Sequence, residues 1–420
     1  MRNAACLGRL SILAVGLGIG AALASTPGVA AADPSDEPFP WIDPGLGALP
    51  VGVGLPVPAA SSPTDMQISV NGVDLFPTTD NTATATSNIG DIAIAIGNGA
   101  HASATGGALD VAVANGADSS ATAGPYGAFD LAVANGNSSE SGVGIDSVLG
   151  VAVANGDESS ASSGLGSILG LAFADGPQSK AGAGITSIAD FAFAHGVGSD
   201  AGAGSLGFFE SAVADGIDSK ADAGFSGGLG AAVALGDHTS ASVAASIGDL
   251  ASALGAGSTA GAAGGSGALA LGTLGGDASA IGFLGAAFAA GVDSDATVGI
   301  FLNVALAVGT DIKALSSGIL DAAAGFGANA EAEAANGIAD VASVLNIGSA
   351  FGEAIAGGTK GALGSLDLAT MIGTGSSALA GSELTTAGNL DLGVALGDIL
   401  DADATGGNLI LALATPLFSF

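Results

Sequence analysis

Val111-Ala112-Val113-Ala114-Asn115-Gly116 returns as Leu131-Ala132-Val133-Ala134-Asn135-Gly136 and again as Val151-Ala152-Val153-Ala154-Asn155-Gly156. Each copy alternates with period two and closes on Asn-Gly, the pattern of a strand running into a turn. The closing glycine recurs every twenty residues through Gly176, Gly196, Gly216 and Gly236, with Gly97 and Gly255 flanking the series at nineteen. Looser copies end at Gly272, Gly291, Gly309 and Gly327, then at Gly348, Gly373 and Gly397. A smaller alternation follows each glycine, as in Ser120-Ala121-Thr122-Ala123-Gly124, Lys180-Ala181-Gly182-Ala183-Gly184 and Lys220-Ala221-Asp222-Ala223-Gly224. Strands this short bury their faces only against neighbouring copies. The expected fold is therefore all-β, a parallel β-solenoid (β-roll or β-helix) of about sixteen coils, with roughly 20-residue repeats and two short strands per coil. A helical alternative survives only for parts of Asp311 to Gly364, where the spacing loosens. Even there, Ala330-Glu331-Ala332-Glu333-Ala334 reads as a second strand with its glutamates outward.

Ser, Asp and Lys do not pack in a dry interior, so Ala121, Ala181 and Ala223 should face inward. An alanine wall calls for larger partners opposite, which Val111, Val113, Phe173, Phe191 and Phe193 would supply. That arrangement leaves Ala112, Ala114 and their equivalents as an outward alanine ribbon. In the opposite arrangement the alanines face in and something else covers the larger residues. Either way the first strand has two apolar faces, and in a sheet this means that both are covered. A homo-oligomer, for instance a trimer through the alanine face, follows as one expectation, with contact to an envelope or host surface as another.

The chain has 420 residues, with 73 Gly and 13 Pro. Only 11% of residues are charged and 4% aromatic, so an ordinary wide core is out of reach. Acidic residues outnumber basic ones 39 to 6, a formal charge of −33. Nothing here would neutralise a phosphate backbone, so nucleic acid is excluded as a partner. Arg2 and Arg9 precede an apolar stretch from Leu10 to Ala24, and Ala30-Ala31-Ala32 supplies a cleavage pattern. Residues 1–32 therefore read as a signal peptide and not as a transmembrane anchor. The protein is expected to be secreted or held at the cell-envelope surface. Cys6 leaves with the signal, and no disulfide framework remains. Ten of the thirteen prolines lie between Pro27 and Pro77, which makes 33–66 a flexible Pro-rich segment. Trp41 in that segment is either a docking motif or an aromatic folded back on the first coil. The expected order continues with N-terminal capping strands over 67–90, a regular β-solenoid over 91–310, and irregular coils with a C-terminal cap over 311–420.

Ile92-Ala93-Ile94-Ala95-Ile96-Gly97 followed by Ala102-Ser103-Ala104-Thr105-Gly106 resembles the head repeats of YadA-like trimeric autotransporter adhesins, as do Ala268-Leu269-Ala270-Leu271-Gly272 and Ala278-Ser279-Ala280-Ile281-Gly282. That resemblance implies a β-roll, trimerisation through apolar faces and attachment to host surfaces. The Arg-Asn-Ala-Ala opening, the Ala-Asp-Pro that follows the signal and the Gly/Ala coils are similar to mycobacterial exported Gly/Ala-rich repeat proteins, which implies an envelope location and no established chemistry.

The residues offer no catalytic, cofactor-binding or metal-ligating constellation, and the expectation is a protein that is not an enzyme and carries no cofactor. His101, His195 and His238 have no ligand partners at metal spacing. His195 occupies the coil position held elsewhere by Asn115, Asn135, Asn155, Asp175 and Asp215, where side chains would hydrogen-bond along the stack. Asp118, Asp157, Glu158, Asp200, Asp218 and Asp237 follow the repeat glycines and form either a solvated acidic face or a calcium edge. Two function classes follow. One is a non-enzymatic structural or adhesin-like surface protein presenting an extended acidic solenoid. The alternative is a binding module for calcium or glycan, or one that orders water. For the last, the only Thr row is Thr82-Ala83-Thr84-Ala85-Thr86.

Overall fold

The structure is a computed structural model that describes residues 66–74, 82–123, 127–142, 146–163, 168–183, 188–204, 206–224, 228–244, 246–347, 351–357, 366–380, 390–404 and 410–415. Residues 1–32, read above as a signal peptide, nearly all of the Pro-rich segment 33–66 and Trp41 lie outside the described residues. The fold is all-β with no helix among the described residues, and its strands pair in parallel as a solenoid. Two compact units divide at Gly196 and Val197.

In the first unit, Leu169–Asp175 pairs with Ala189–His195 in a register that sets Ala172 on Ala192 and Phe173 on Phe193. The shorter strands Ala161–Ser162 and Lys180–Gly182 pair in the same sense, Ala161 on Ala181. In the second unit the long-strand ladder runs from Phe209–Asp215 through Leu229–Leu235 and Gly248–Leu254 to Thr259–Thr273 and beyond. Equal repeat lengths cause this register, because each residue lands on its own equivalent one coil earlier.

The coil count needs correction. The solenoid makes about 9 turns with a repeat of ~19 residues, fewer than the repeat glycines suggest. A glycine marks a turn whether or not its flanks join a ladder. Residues 92–96 and 111–115 alternate but are not ladder strands, and past Ala339 the repeat widens, with Ala339 pairing to Leu366 and Asp367 to Asp391. Two short strands per coil also hold only as far as Gly248–Leu254. From there single strands run through the corner, as in Asp277–Val292, Asp295–Ser317 and Leu320–Ala335. The repeat has by then shortened from 20 to 18 residues. With no spare residues to loop out, the backbone keeps its ladder through the bend, and the register slips only between Ala263 and Gly265. The alternation at Ala330–Ala334 lies in such a strand, with Ala330, Ala332 and Ala334 buried and both glutamates half-buried on the outside.

The orientation left open by the sequence is decided in favour of alanine inside. Ala172, Ala174, Ala192 and Ala194 are buried, while Phe173, Phe191 and Phe193 are 38%, 45% and 39% exposed. Val113 and Val133 are buried, but in the second unit Val213 and Val233 sit half-exposed on the outer side. The second strands contribute a matching wall, with Ala121, Ala181 and Ala223 inward as expected. The interior is built mostly of alanine, with Met371, Val243, Val298 and Ile312 among its larger side chains, and close packing of such small groups leaves little volume for phenylalanine. The alanine ribbon is thus core and cannot be an oligomer interface. The larger apolar residues of the long strand, Phe, Leu and Val, lie instead on its outer face.

Backbone proximity explains the repeat glycine. Gly309 and Gly327 have φ of +149° and +154°, and a Cβ on either would collide with the carbonyl oxygen of the glycine one coil earlier, Gly291 or Gly309. Thin packing and close coils give a paired test. Ala287→Leu, on a buried methyl, should destabilise by about 1–3 kcal/mol or more, whereas Ala286→Leu, on its half-exposed neighbour, should shift stability by less than about 0.5 kcal/mol. Denaturant midpoints of the two variants decide it; equal midpoints would contradict the inward assignment of alanine.

Candidate functional surface and the buried acidic column

Three columns of polar side chains run along the coils, and the first matches the sequence expectation. In the first unit, Asn115 Nδ2 donates to Asn135 Oδ1 and Asn135 Nδ2 to Asn155 Oδ1, both at 3.4 Å, and Asn155 Nδ2 donates to Asp175 Oδ2 at 3.2 Å. His195 follows Asp175 in register, which places it as one more rung of a structural stack. The turn residues are bonded similarly: Asn137 Nδ2 donates to Asp157 Oδ2 at 2.7 Å, and Ala256 N to Asp237 Oδ1 at 3.1 Å. Those carboxylates thus receive donors from adjacent coils. Among the described residues no group of three or more His, Cys, Asp and Glu is placed to hold a metal ion.

A second column consists of buried hydroxyls at one corner. In the second unit Ser199 Oγ donates to Ser219 Oγ at 3.2 Å, and Thr239 Oγ1 to Ser258 Oγ at 3.0 Å. A hydroxyl can both donate and accept, so such a column can propagate without charge.

The third column is acidic, and sequence reasoning missed it. Asp91, Asp110, Asp130 and Asp190 in the first unit, and Glu210, Asp249, Asp321, Asp340, Asp367 and Asp391 in the second, are all 3% exposed or less. They stand at the opposite corner; in the ladder coils they are the first or second residue of the long strand, as Asp190, Asp249, Asp340 and Asp391 show. The available signal was positional: Asp91, Asp110, Asp249, Asp321, Asp367 and Asp391 each precede a repeat glycine by six residues. Gly150, Gly170 and Gly230 take the same place in other coils. The carboxyls satisfy corner amides. Gly90 N donates to Asp91 Oδ1 at 3.1 Å, Ala108 N to Asp110 Oδ1 at 2.8 Å, and Gly337 N to Asp340 Oδ2 at 3.1 Å. In the second unit Asn303, Asp321, Asp340, Asp367 and Asp391 follow one another in register. Asn303 Nδ2 donates to Asp321 Oδ1 at 2.9 Å, but Asp340 Oδ1, Asp367 Oδ1 and both oxygens of Asp391 have no hydrogen-bond partner.

Carboxylates stacked about 4.8 Å apart in a dry corner cannot all ionise. Burial raises Asp340 to about 7, helped by the charges of Asp367 and Asp321 and opposed by the Gly337 amide. Burial and then Asp391 raise Asp367 to about 6, and burial and then Asp110 raise Asp91 to about 6. Asp249, Asp321 and Asp391 are also raised, chiefly by burial. A protonated carboxyl supplies the O–H donor that its neighbour lacks, so a partly protonated column is better bonded than a fully charged one.

The outer surfaces are unlike each other. In the second unit, the long-strand face from Leu229 to Leu413 carries no charged side chain at its outward positions among the described residues. Leu284, Val304 and Leu320 there are 49%, 53% and 43% exposed. Together with Leu302 and Val341 they line an open groove of about 520 Å³. The second face bears the charges. Thr259, Asp277 and Asp295 stack in register, Asp295 N donating to Asp277 Oδ1 at 3.3 Å. Lys313 meets Glu331 at 2.7 Å, and Lys220 pairs with Asp222. The hydrogen bonds to Glu331 and Asp222 raise the two lysines. No helix among the described residues is long and apolar enough to cross a membrane.

No family model, curated protein or solved structure matches the chain.

The acidic column makes stability depend on pH with a definite sign. Folded-state pKa values raised above the unfolded value of about 3.9 mean that the folded chain holds extra protons between about pH 4 and pH 7. Stability from the column is fully present at the low end of that window and is lost as pH rises through 6 to 7. The melting temperature should therefore be higher at pH 5 than at pH 7.5, by roughly 5 °C. Asp340→Asn keeps an acceptor for Gly337 and removes the charge, so it should raise the pH 7.5 value and flatten the profile. Melting curves of both proteins that rise in parallel with pH would contradict this.

Proposed function

We propose that this chain is a non-enzymatic structural protein of adhesin-like type, exported to the cell-envelope surface, where its solenoid presents one acidic and one uncharged apolar face for self-association or surface contact. The observation that carries this reading is the segregation of charge between the two faces of the second unit from Leu229 onward, among the described residues. A fold that needed only solubility would have charges on both. Periodic side chains suit repeated, multivalent contact. The polar side chains at the turns bond along the stack: Asn135 meets Asn115 and Asn155, and Asp157 meets Asn137. Export is supported by Arg2, Arg9, the apolar Leu10–Ala24 stretch and Ala30-Ala31-Ala32, and the surface role by the resemblance of 92–106 and 268–282 to adhesin heads.

Fractionation of the producing cell tests the reading. The chain should appear in the envelope or culture fluid with Asp33 as its first residue. Recovery inside the cell with Met1 intact would overturn it.

A further inference from the structure

The uncharged face of the second unit is large enough to be an interface. Stacking at about 4.8 Å and a rise of about 3.3 Å per residue make it a field about 20 Å by 45 Å, on the order of 900 Å². A typical monomer exposes an apolar patch of about 300–600 Å² at most, and a stable dimer buries about 800 Å² on each partner.

We propose that a second copy of this chain covers this face, the two sheets packing face to face about a two-fold axis. The inference rests on the surface-contact reading above and names the partner. Area is the first reason. Charge is the second: in a chain of net −33, the described residues at the outward long-strand positions from Leu229 to Leu413 are neutral. Two copies can therefore meet there without desolvating a carboxylate, while Asp295, Lys313 and Glu331 stay on the charged face in solvent. Shape is the third. Leu250 and Leu269 stack as a ridge in one outward column, and the same column continues through Ala286, Val304 and Ala322 along the groove. A two-fold operation lays the ridge of one copy along the groove of the other, so the surface is complementary to itself. One flat face takes one mate, which makes the assembly a dimer and not the trimer expected from the adhesin resemblance.

Sedimentation velocity of the purified chain over a concentration series tests this. The expected species has twice the 38.8 kDa chain mass. Val304→Lys, at an exposed position, should raise the dissociation constant about a hundredfold or more, because the two-fold axis buries two unpaired ammonium groups. Thr297→Lys on the charged face should leave it unchanged, and both variants should keep the β circular-dichroism spectrum. A monomer at all concentrations, a trimer, or a dimer indifferent to Val304→Lys would overturn the proposal. So would a monomer that floats with neutral phosphatidylcholine vesicles, which would assign the face to lipid. A chain found outside the cell but monomeric sinks this inference alone, whereas a dimer retained inside the cell sinks the export reading alone.

Discussion

Parallel stacking in register sets every side chain beside its own kind one coil away, about 4.8 Å apart. That proximity decides which residues each column tolerates. Methyl groups fill the interior without strain, and Ala172, Ala192 and their equivalents occupy it. Amides bond to one another, so Asn115, Asn135 and Asn155 form a ladder that continues to Asp175. Hydroxyls do the same at one corner through Ser199 with Ser219 and Thr239 with Ser258. Glycine is required where the backbones come closest, as at Gly309 and Gly327.

The acidic corner is the column that runs against this logic. Like charges repel most when stacked and dry, yet Asp321, Asp340, Asp367 and Asp391 follow one another in register and are buried. What retains them is the corner backbone, whose amides at Gly90, Ala108 and Gly337 turn inward and need acceptors. An orphaned buried amide costs about 1–3 kcal/mol, and a carboxyl that keeps its proton avoids most of the ionic desolvation penalty. The column therefore couples the shape of the corner to protonation, through Asp340 above all.

A methyl-thin core has a consequence for the surface. With alanine filling the inside, the larger apolar residues that β-strands favour are displaced to the outer side of the same strands. Phe191 and Phe193 in the first unit and Leu284 and Val304 in the second are exposed for that reason. From Leu229 onward the outward charges of the described strands fall on the second strand of each coil, where Lys313 pairs with Glu331 and Asp277 stacks with Asp295. The two faces thus differ in kind, and their difference is the basis of the proposed contacts.

The twenty-residue recurrence of glycine, the period-two alternation before it and the Asn column were legible from the chain alone, because each is a local rule repeated many times. Those features by themselves determined an all-β parallel solenoid, with Ala121, Ala181 and Ala223 inward and an Asn ladder along one edge. Which face of the long strand is inside was not legible. Val111 and Ala112 alternate equally well in either sense, and only the closed coil, whose interior is packed mostly with alanine, buries Ala172 and leaves Phe173 outside. The acidic corner was hidden for a related reason: an aspartate six residues before a glycine looks like a solvated turn until the coil closes over it. Coil number and strand continuity were likewise settled in three dimensions, since a repeat of 18 residues leaves no slack at the corner and one of 20 does.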